Sequence, residues 1–139
     1  MRRLRTLIGG ATPTPYRVLV TGSRDWDDID TIAAAIEQTL IDSGGRPVLV
    51  VHGACPSGAD WHADHYARWL RGRGCSVDVE PHPANWSLNG KAAGFIRNQL
   101  MVNLGADICL AFIKNGSRGA SHTARLAEEA GIKTRRWTA

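Results

Sequence analysis

The chain has 139 residues, 43% of them apolar and 22% charged, with a formal net charge of +4 and a sequence pI of about 9.3. This is the size of one compact domain with enough apolar side chains for a core. It excludes a membrane-spanning chain, because no apolar run approaches the ~18 residues that a span requires. The cysteines Cys55, Cys75 and Cys109 form an odd set with no CxxC pair. They suggest neither a disulfide framework nor a metal site, and fit a reducing, cytoplasmic compartment. Much of the positive excess sits at the ends, in Arg2, Arg3, Arg5, Arg135 and Arg136. It therefore reads as charged, solvated ends sooner than as a nucleic-acid footprint.

Residues 1–15 read as a disordered tail, broken by Gly9, Gly10, Pro13 and Pro15. Residues 16–139 read as a single domain. Residues 17–21 (RVLVT) are a β-branched run closed by Gly22 and predict a buried strand. Over 28–41, Ile29, Ile32, Ala33, Ile36 and Leu40 fall on one helical stripe that Ser43-Gly44-Gly45 ends. Residues 47–51 (PVLVV) predict a second strand. Ala59, His62, Ala63, Tyr66, Ala67 and Leu70 stripe a second helix, which closes near Gly72 and Gly74. Residues 75–79 predict a third strand, and after a polar loop (PHPANWSLNG) a third helix turns Ala92, Ala93, Ile96, Leu100 and Leu104 inward. Residues 107–113 (DICLAFI) predict a fourth strand. Ala120, Thr123, Ala124, Ala127 and Ala130 stripe a fourth helix, and residues 132–137 give a short fifth strand. Strands alternating with helices imply βαβ crossovers, hence an α/β/α three-layer fold with a mainly parallel sheet of about five strands.

Ligands of such sheets bind outside the carboxyl ends of the strands, and four loops leave those ends. In the first, Gly22 permits close backbone approach while Ser23 and Arg24 can donate to an anion. In the second (HGACPSGAD), Gly53 and Gly58 flank a helix start whose free amides suit a phosphate. Ser57 is placed to cap that helix. Asp60 lies in its first turn, either as a partner of the macrodipole or as a contact to a ribose hydroxyl. The third loop carries His82 and Trp86 and leads to Lys91, Arg97 and Asn98. Arg97 and Asn98 lie off the apolar stripe and face either solvent or the cleft; Trp86 either stacks on a base or covers the sheet. The fourth loop, Gly116-Ser117-Arg118-Gly119 with Ala120 and Ser121, can present a nest of amides to an anion.

The combination TGSRDW, HGACPSGADWHAD, HPANW, GKAAGFIRNQLMV and NGSRGASHTARLA resembles the YspA-type (YpsA-related) family of the SLOG superfamily over about residues 17–137. The resemblance implies a Rossmann-like fold and a site for nucleotide-derived ligands. Superfamily members include cytokinin-activating phosphoribohydrolases, the DNA-processing protein DprA and sensors of antiviral defence. Arg97 resembles the Arg of the phosphoribohydrolase branch. Where that branch carries a loop Thr and, three residues on, a Glu, this chain has Ala120 and Thr123.

The leading reading is therefore a binding protein or sensor for a phosphate-bearing nucleotide or ADP-ribose-type ligand, with no resident cofactor and no metal. Its site is Gly22, Ser23, Arg24, Gly53, Ser57, Gly58, Asp60, Arg97, Asn98, Gly116, Ser117, Arg118 and Gly119. The phosphate is expected at the amides around Gly119, with Arg97 or Arg118 nearby. A second reading is an N-glycosidic-bond hydrolase in which Asp60 or Asp25 replaces the missing Glu, with Arg97 as a further catalytic candidate. A third is a DprA-like nucleic-acid-binding module. Trp61 and Trp69 fall outside the stripe of the second helix and predict a homodimer formed through helix faces.

Overall fold

The structure, a computed structural model, describes residues 13–139; most of the expected tail, residues 1–12, lies outside them. Five strands form one sheet: β1 (Tyr16–Gly22), β2 (Val48–His52), β3 (Val77–Pro81), β4 (Ile108–Ile113) and β5 (Lys133–Thr138). Every pairing is parallel and the order is β3-β2-β1-β4-β5. The strands alternate their side chains between two cores, as the pleat requires. Val18, Val20, Val50, Leu110 and Phe112 pack with α1 (Ile29–Asp42) and α2 (Gly58–Gly72) on one face. Leu19, Val51 and Cys109 pack with Met101 and Val102 of α4 (Ala93–Asn103) and Ala127 of α5 (Arg118–Glu129) on the other. The expected Rossmann-like three-layer α/β architecture is present. Among the described residues no helix is long and apolar enough to cross a membrane.

Two elements depart from the sequence expectation. β3 starts at Val77, two residues later than 75–79 implied. The Cys75 amide instead donates to Leu70 O and closes the end of α2. The third helix is broken into α3 (Trp86–Asn89), a 3₁₀ turn (Gly90–Ala92) and α4. Asn85 starts α3 by accepting from the Leu88 amide, and Gly90, at φ 55°, stops it.

The face that α4 buries also differs. Ala93, Arg97 and Met101, with Val102, turn inward. Ile96, Leu100 and Leu104 remain half exposed, although all three belonged to the expected inward stripe. Both columns repeat every four residues, so periodicity alone cannot rank them. The winning column contains an arginine whose head finds hydrogen-bond partners at the strand ends. On α2 the two tryptophans are exposed but packed sideways: Trp61 stacks on His65 at 3.6 Å and Trp69 on Tyr66 at 5.6 Å between ring centroids.

β5 is an edge strand. Lys133, Arg135 and Arg136 are exposed along it, while Trp137 stacks on Phe112 at 4.8 Å between ring centroids. Arg136 pairs with Glu128 at 2.7 Å, and the Arg135 guanidinium lies 4.9 Å from the centre of the Trp137 ring.

Two glycines permit the tight approach of β1 to α2. A Cβ on Gly22 would lie 2.3 Å from Ala59 Cβ. A Cβ on Gly58, which has φ +73°, would lie 2.2 Å from Ser23 O. Gly116, at φ +60°, has nothing within 4 Å of its missing Cβ. Gly58→Ala combines a backbone clash with a left-handed conformation and should lower the unfolding free energy by more than about 2 kcal/mol. Gly116→Ala carries only the conformational term, about 1 kcal/mol. Urea denaturation of the two variants checks the ranking, and equal losses would remove the packing argument.

Candidate functional site

The order of the sheet reverses between β1 and β4, which lie side by side although two strands separate them in sequence. Outside the carboxyl ends of these strands lies a cavity of about 610 Å³, at the place where open α/β sheets hold ligands. Thr21 and Gly22 of β1 line it together with Arg24 and Asp25 of the following loop. Lys114, Asn115 and Ser117 come from the loop after β4, and Gly119 and Ala120 from the start of α5. Cys55 and Asp60 come from the β2–α2 connection. Trp86, Lys91, Gly94, Phe95, Arg97, Asn98 and Met101 make the α3–α4 wall. Four basic residues, Arg24, Lys91, Arg97 and Lys114, thus line one space with Asp25 and Asp60, and the Lys114 ammonium pairs with Asp27 Oδ1 at 3.2 Å.

The two glycine-bearing helix starts differ. The α5 start is open. Its N-cap, Ser117, makes no side-chain cap hydrogen bond, and the Ser121 amide donates to Ser117 O, so the Gly119 and Ala120 amides precede that bond. Nothing lies within 4 Å of a Cβ on Gly119. Donors at such a terminus, together with the helix dipole, favour an anion.

The α2 start is closed by the molecule itself. The Ala59 amide donates to Ser23 O at 3.2 Å, and Gly58 lies against Ser23 and Arg24. Ser57 does not cap the helix; its Oγ donates to Arg24 O at 3.0 Å. The Gly53 and Cys55 amides donate to Asp60 Oδ2 at 3.1 and 3.5 Å.

Of the candidate residues, Gly22, Arg24, Asp60, Arg97, Asn98, Ser117 and Gly119 line the cavity. The others have different surroundings. Ser23 is buried and clasps the end of β4, accepting from the Lys114 amide at 2.7 Å and donating to Lys114 O at 3.2 Å. Gly53 lies beneath the Arg97 guanidinium, and a Cβ there would come within 2.6 Å of Nη1. Gly116 shapes a turn with Asn115, both at positive φ, and Arg118 is exposed. Asp25, Cys55, Lys114 and Asn115 also line the cavity, outside the expected ligand-binding set. Asp25 was the alternative to Asp60 in the hydrolase reading; Cys55, Lys114 and Asn115 are marked only by their shared position at the switch point.

Arg97 is 9% exposed. Its Nη1 donates to Gly53 O and, at 3.2 Å, to His82 O, and its Nε donates to Asn98 Oδ1 at 2.6 Å. It joins α4 to the ends of β2 and β3 while bordering the cavity. Thr123, at the position of the phosphoribohydrolase Glu, is fully buried and donates to Gly119 O at 3.0 Å. Glu128 lies outside the cavity, paired with Arg136.

Asp60 is 5% exposed, and burial raises its carboxyl above the ordinary aspartate pKa, against the opposing pull of His52 and Arg97. Burial and the Asp60 carboxylate also push the Cys55 thiol up. Beneath them His52, 3% exposed, accepts from the Ala54 amide through Nδ1 at 3.0 Å. That leaves its Nε2–H to face Asp64 Oδ2 at 2.7 Å. The sequence reading missed this pair; its signal was a histidine ending an apolar strand.

A doubly wound parallel sheet with a cavity at its switch point defines a Rossmann-like α/β protein. The chain belongs to the YspA, cpYpsA-related SLOG family, whose model matches residues 16–88. It is 46% identical over 116 residues to "Gene 61 protein" of Mycobacterium phage D29, covering 84% of this chain and 91% of that one. No solved structure matches it.

Arg97→Ala leaves two main-chain carbonyls without their donor and should cost at least about 2 kcal/mol of unfolding free energy. Arg97→Lys should recover part of it, as thermal melts would show. Asp60 has the opposite sign. A carboxyl with a raised folded-state pKa holds its proton in the native state after the unfolded chain has lost it, so wild-type stability falls as pH rises from about 4 to that pKa. The stability of Asp60→Asn relative to wild type should climb through that window and then level off. A pH-independent difference in denaturant titrations would contradict the raised pKa.

Proposed function

We propose that the chain binds a phosphate-bearing nucleotide or nucleotide-derived ligand in the cavity between β1 and β4, as a binding protein or sensor. One observation carries this reading: the open α5 N-terminus shares that cavity with Arg24, Lys91, Arg97 and Lys114. Helix amides and guanidinium groups together are strong phosphate donors. The phosphate sits at the Gly119 and Ala120 amides, with Arg24 and Lys114 beside it. Trp86 and Phe95 also line the cavity and are the aromatic side chains available to a base, Phe95 packing edge-on against His122 of α5 at 5.2 Å between ring centroids. A binding role is preferred to hydrolysis because α5 presents buried Thr123, not a carboxylate, where the hydrolytic branch has its acid.

Calorimetric titration with AMP, ADP-ribose and adenosine tests the reading. AMP and ADP-ribose should bind, and adenosine should bind at least about tenfold more weakly, the scale of one charged hydrogen bond. Arg24→Ala and Lys114→Ala should each weaken AMP by roughly 1–2 kcal/mol. Equal affinity for AMP and adenosine, or no binding of either phosphorylated compound, would sink it. Release of free base during incubation would replace the sensor reading with the hydrolase.

A further inference from the structure

We propose that the outward face of α4 is the seat of a second copy of this chain, giving a two-fold dimer in which the two α4 helices pack on each other around Leu100. This surface lies outside the cavity, and its use does not depend on the phosphate reading.

α4 turns Ala93, Arg97 and Met101 inward and leaves Phe95, Ile96, Gln99, Leu100, Asn103 and Leu104 exposed. In a chain with 22% charged residues, residues 92–106 hold one charge, that of Arg97, which is buried. The other long helices face solvent with charges: Asp30 and Glu37 on α1, Arg68 and Arg71 on α2, Arg125 and Glu129 on α5. What α4 presents instead is a half-exposed ridge of Ile96, Leu100 and Leu104, flanked by Phe95 and by Gln99, whose amide donates to Asn103 Oδ1 at 2.8 Å. Depletion of charge around an apolar centre marks the core of an interface, and large contiguous apolar patches rarely stay bare on a monomer.

A second copy fits this face. A two-fold contact sets a surface against its own image, which a charged face resists and an uncharged one allows. The ridge repeats every four residues, the spacing at which two helices interdigitate, and Leu100 is its midpoint. A two-fold axis beside Leu100 therefore sets Leu100 against its own counterpart and points Ile96 toward Leu104 of the partner subunit. The area is sufficient. Phe95, Ile96, Leu100 and Leu104, with Trp86 and Leu88 of the adjoining α3, are each between 49% and 77% exposed. Side chains of these sizes offer roughly 600 Å² per copy, so a pair reaches about 1,200 Å², where specific interfaces begin. The tryptophans of α2 are less free: Trp61 stacks on His65, and Trp69 lies between Tyr66 and the Arg73 guanidinium, 5.1 Å from its ring centre. Phe95 also lines the cavity, so the α4 interface borders the ligand site.

Sedimentation equilibrium of the full chain across micromolar concentrations should show the 15.1 kDa monomer giving way to a species of twice that mass. Leu100→Glu should raise the dissociation constant at least about tenfold, because the axis brings two carboxylates together, while its circular dichroism stays that of the wild type. Leu100→Lys should do the same. An equimolar mixture of the two variants should dimerise again, since position 100 meets position 100. Trp69→Glu should leave the dimer intact. A wild-type chain that stays monomeric throughout would overturn the inference; if it dimerises only once residues 1–12 are removed, the occupant of the face is the chain's own amino-terminal segment. Dimers that survive both Leu100 variants, or that Trp69→Glu alone dissolves, would move the interface off α4. A mixture that stays monomeric would remove the two-fold axis at Leu100.

Discussion

The guanidinium of Arg97 fastens α4 to the carboxyl ends of the sheet, and much of the site's shape follows from that contact. A cation in so buried a place is tolerated only with its donors met, and here the acceptors are main-chain carbonyls that β2 and β3 leave at their ends. The contact sets the roll of α4, which turns Ala93 and Met101 inward and leaves Ile96, Leu100 and Leu104 outside. It also requires a residue without a side chain at position 53, because the guanidinium occupies the space a Cβ would fill. With α4 held in that orientation, Gly94, Phe95 and Asn98 join the cavity wall.

On the other side of the sheet, backbone packing does the corresponding work. The β1–α1 loop lies directly on the start of α2, with Ser23 O and Arg24 against Gly58. That contact removes α2 as an anion site and leaves α5 as the open terminus. The Asp60 carboxylate gathers the Gly53 and Cys55 amides, so the β2–α2 loop is organised around a side chain of its own helix and brings a carboxyl to the cavity. The two loops look alike as strings of small residues, but one is closed by its neighbours and the other is not.

The alternation of apolar strands with striped helices made the architecture legible from sequence. Strand identities held to within two residues: β1, β2 and β4 are largely buried and their apolar runs are continuous, while the edge strands β3 and β5 are half exposed and follow from the alternation with helices. That a cavity opens at the strand ends was equally legible, since it follows from the parallel topology. The roles of individual residues were not. Ser23, Gly53, Ser57 and Gly58 have the composition of a phosphate loop, yet in the structure they serve contacts between segments distant in sequence. Arg97 was misplaced at the edge of its helix stripe because hydrophobic periodicity treats every arginine as a surface residue. It cannot register an arginine buried by the carbonyls of two other strands. The His52–Asp64 pair likewise depends on a strand end meeting a helix, which no local pattern encodes.

The basic residues of β5 bear on how this sheet meets other chains. An edge strand exposes a row of unpaired amides and carbonyls, and a flat edge invites a second sheet to extend it. Here Lys133, Arg135 and Arg136 are exposed along that edge, and Arg136 is held by Glu128. A second copy aligning its own β5 would bring the charges of Lys133 and Arg135, unpaired among the described residues, toward like charges. Part of the positive excess that composition offers as a sign of anionic partners thus lies where charge disfavours edge-to-edge pairing of sheets.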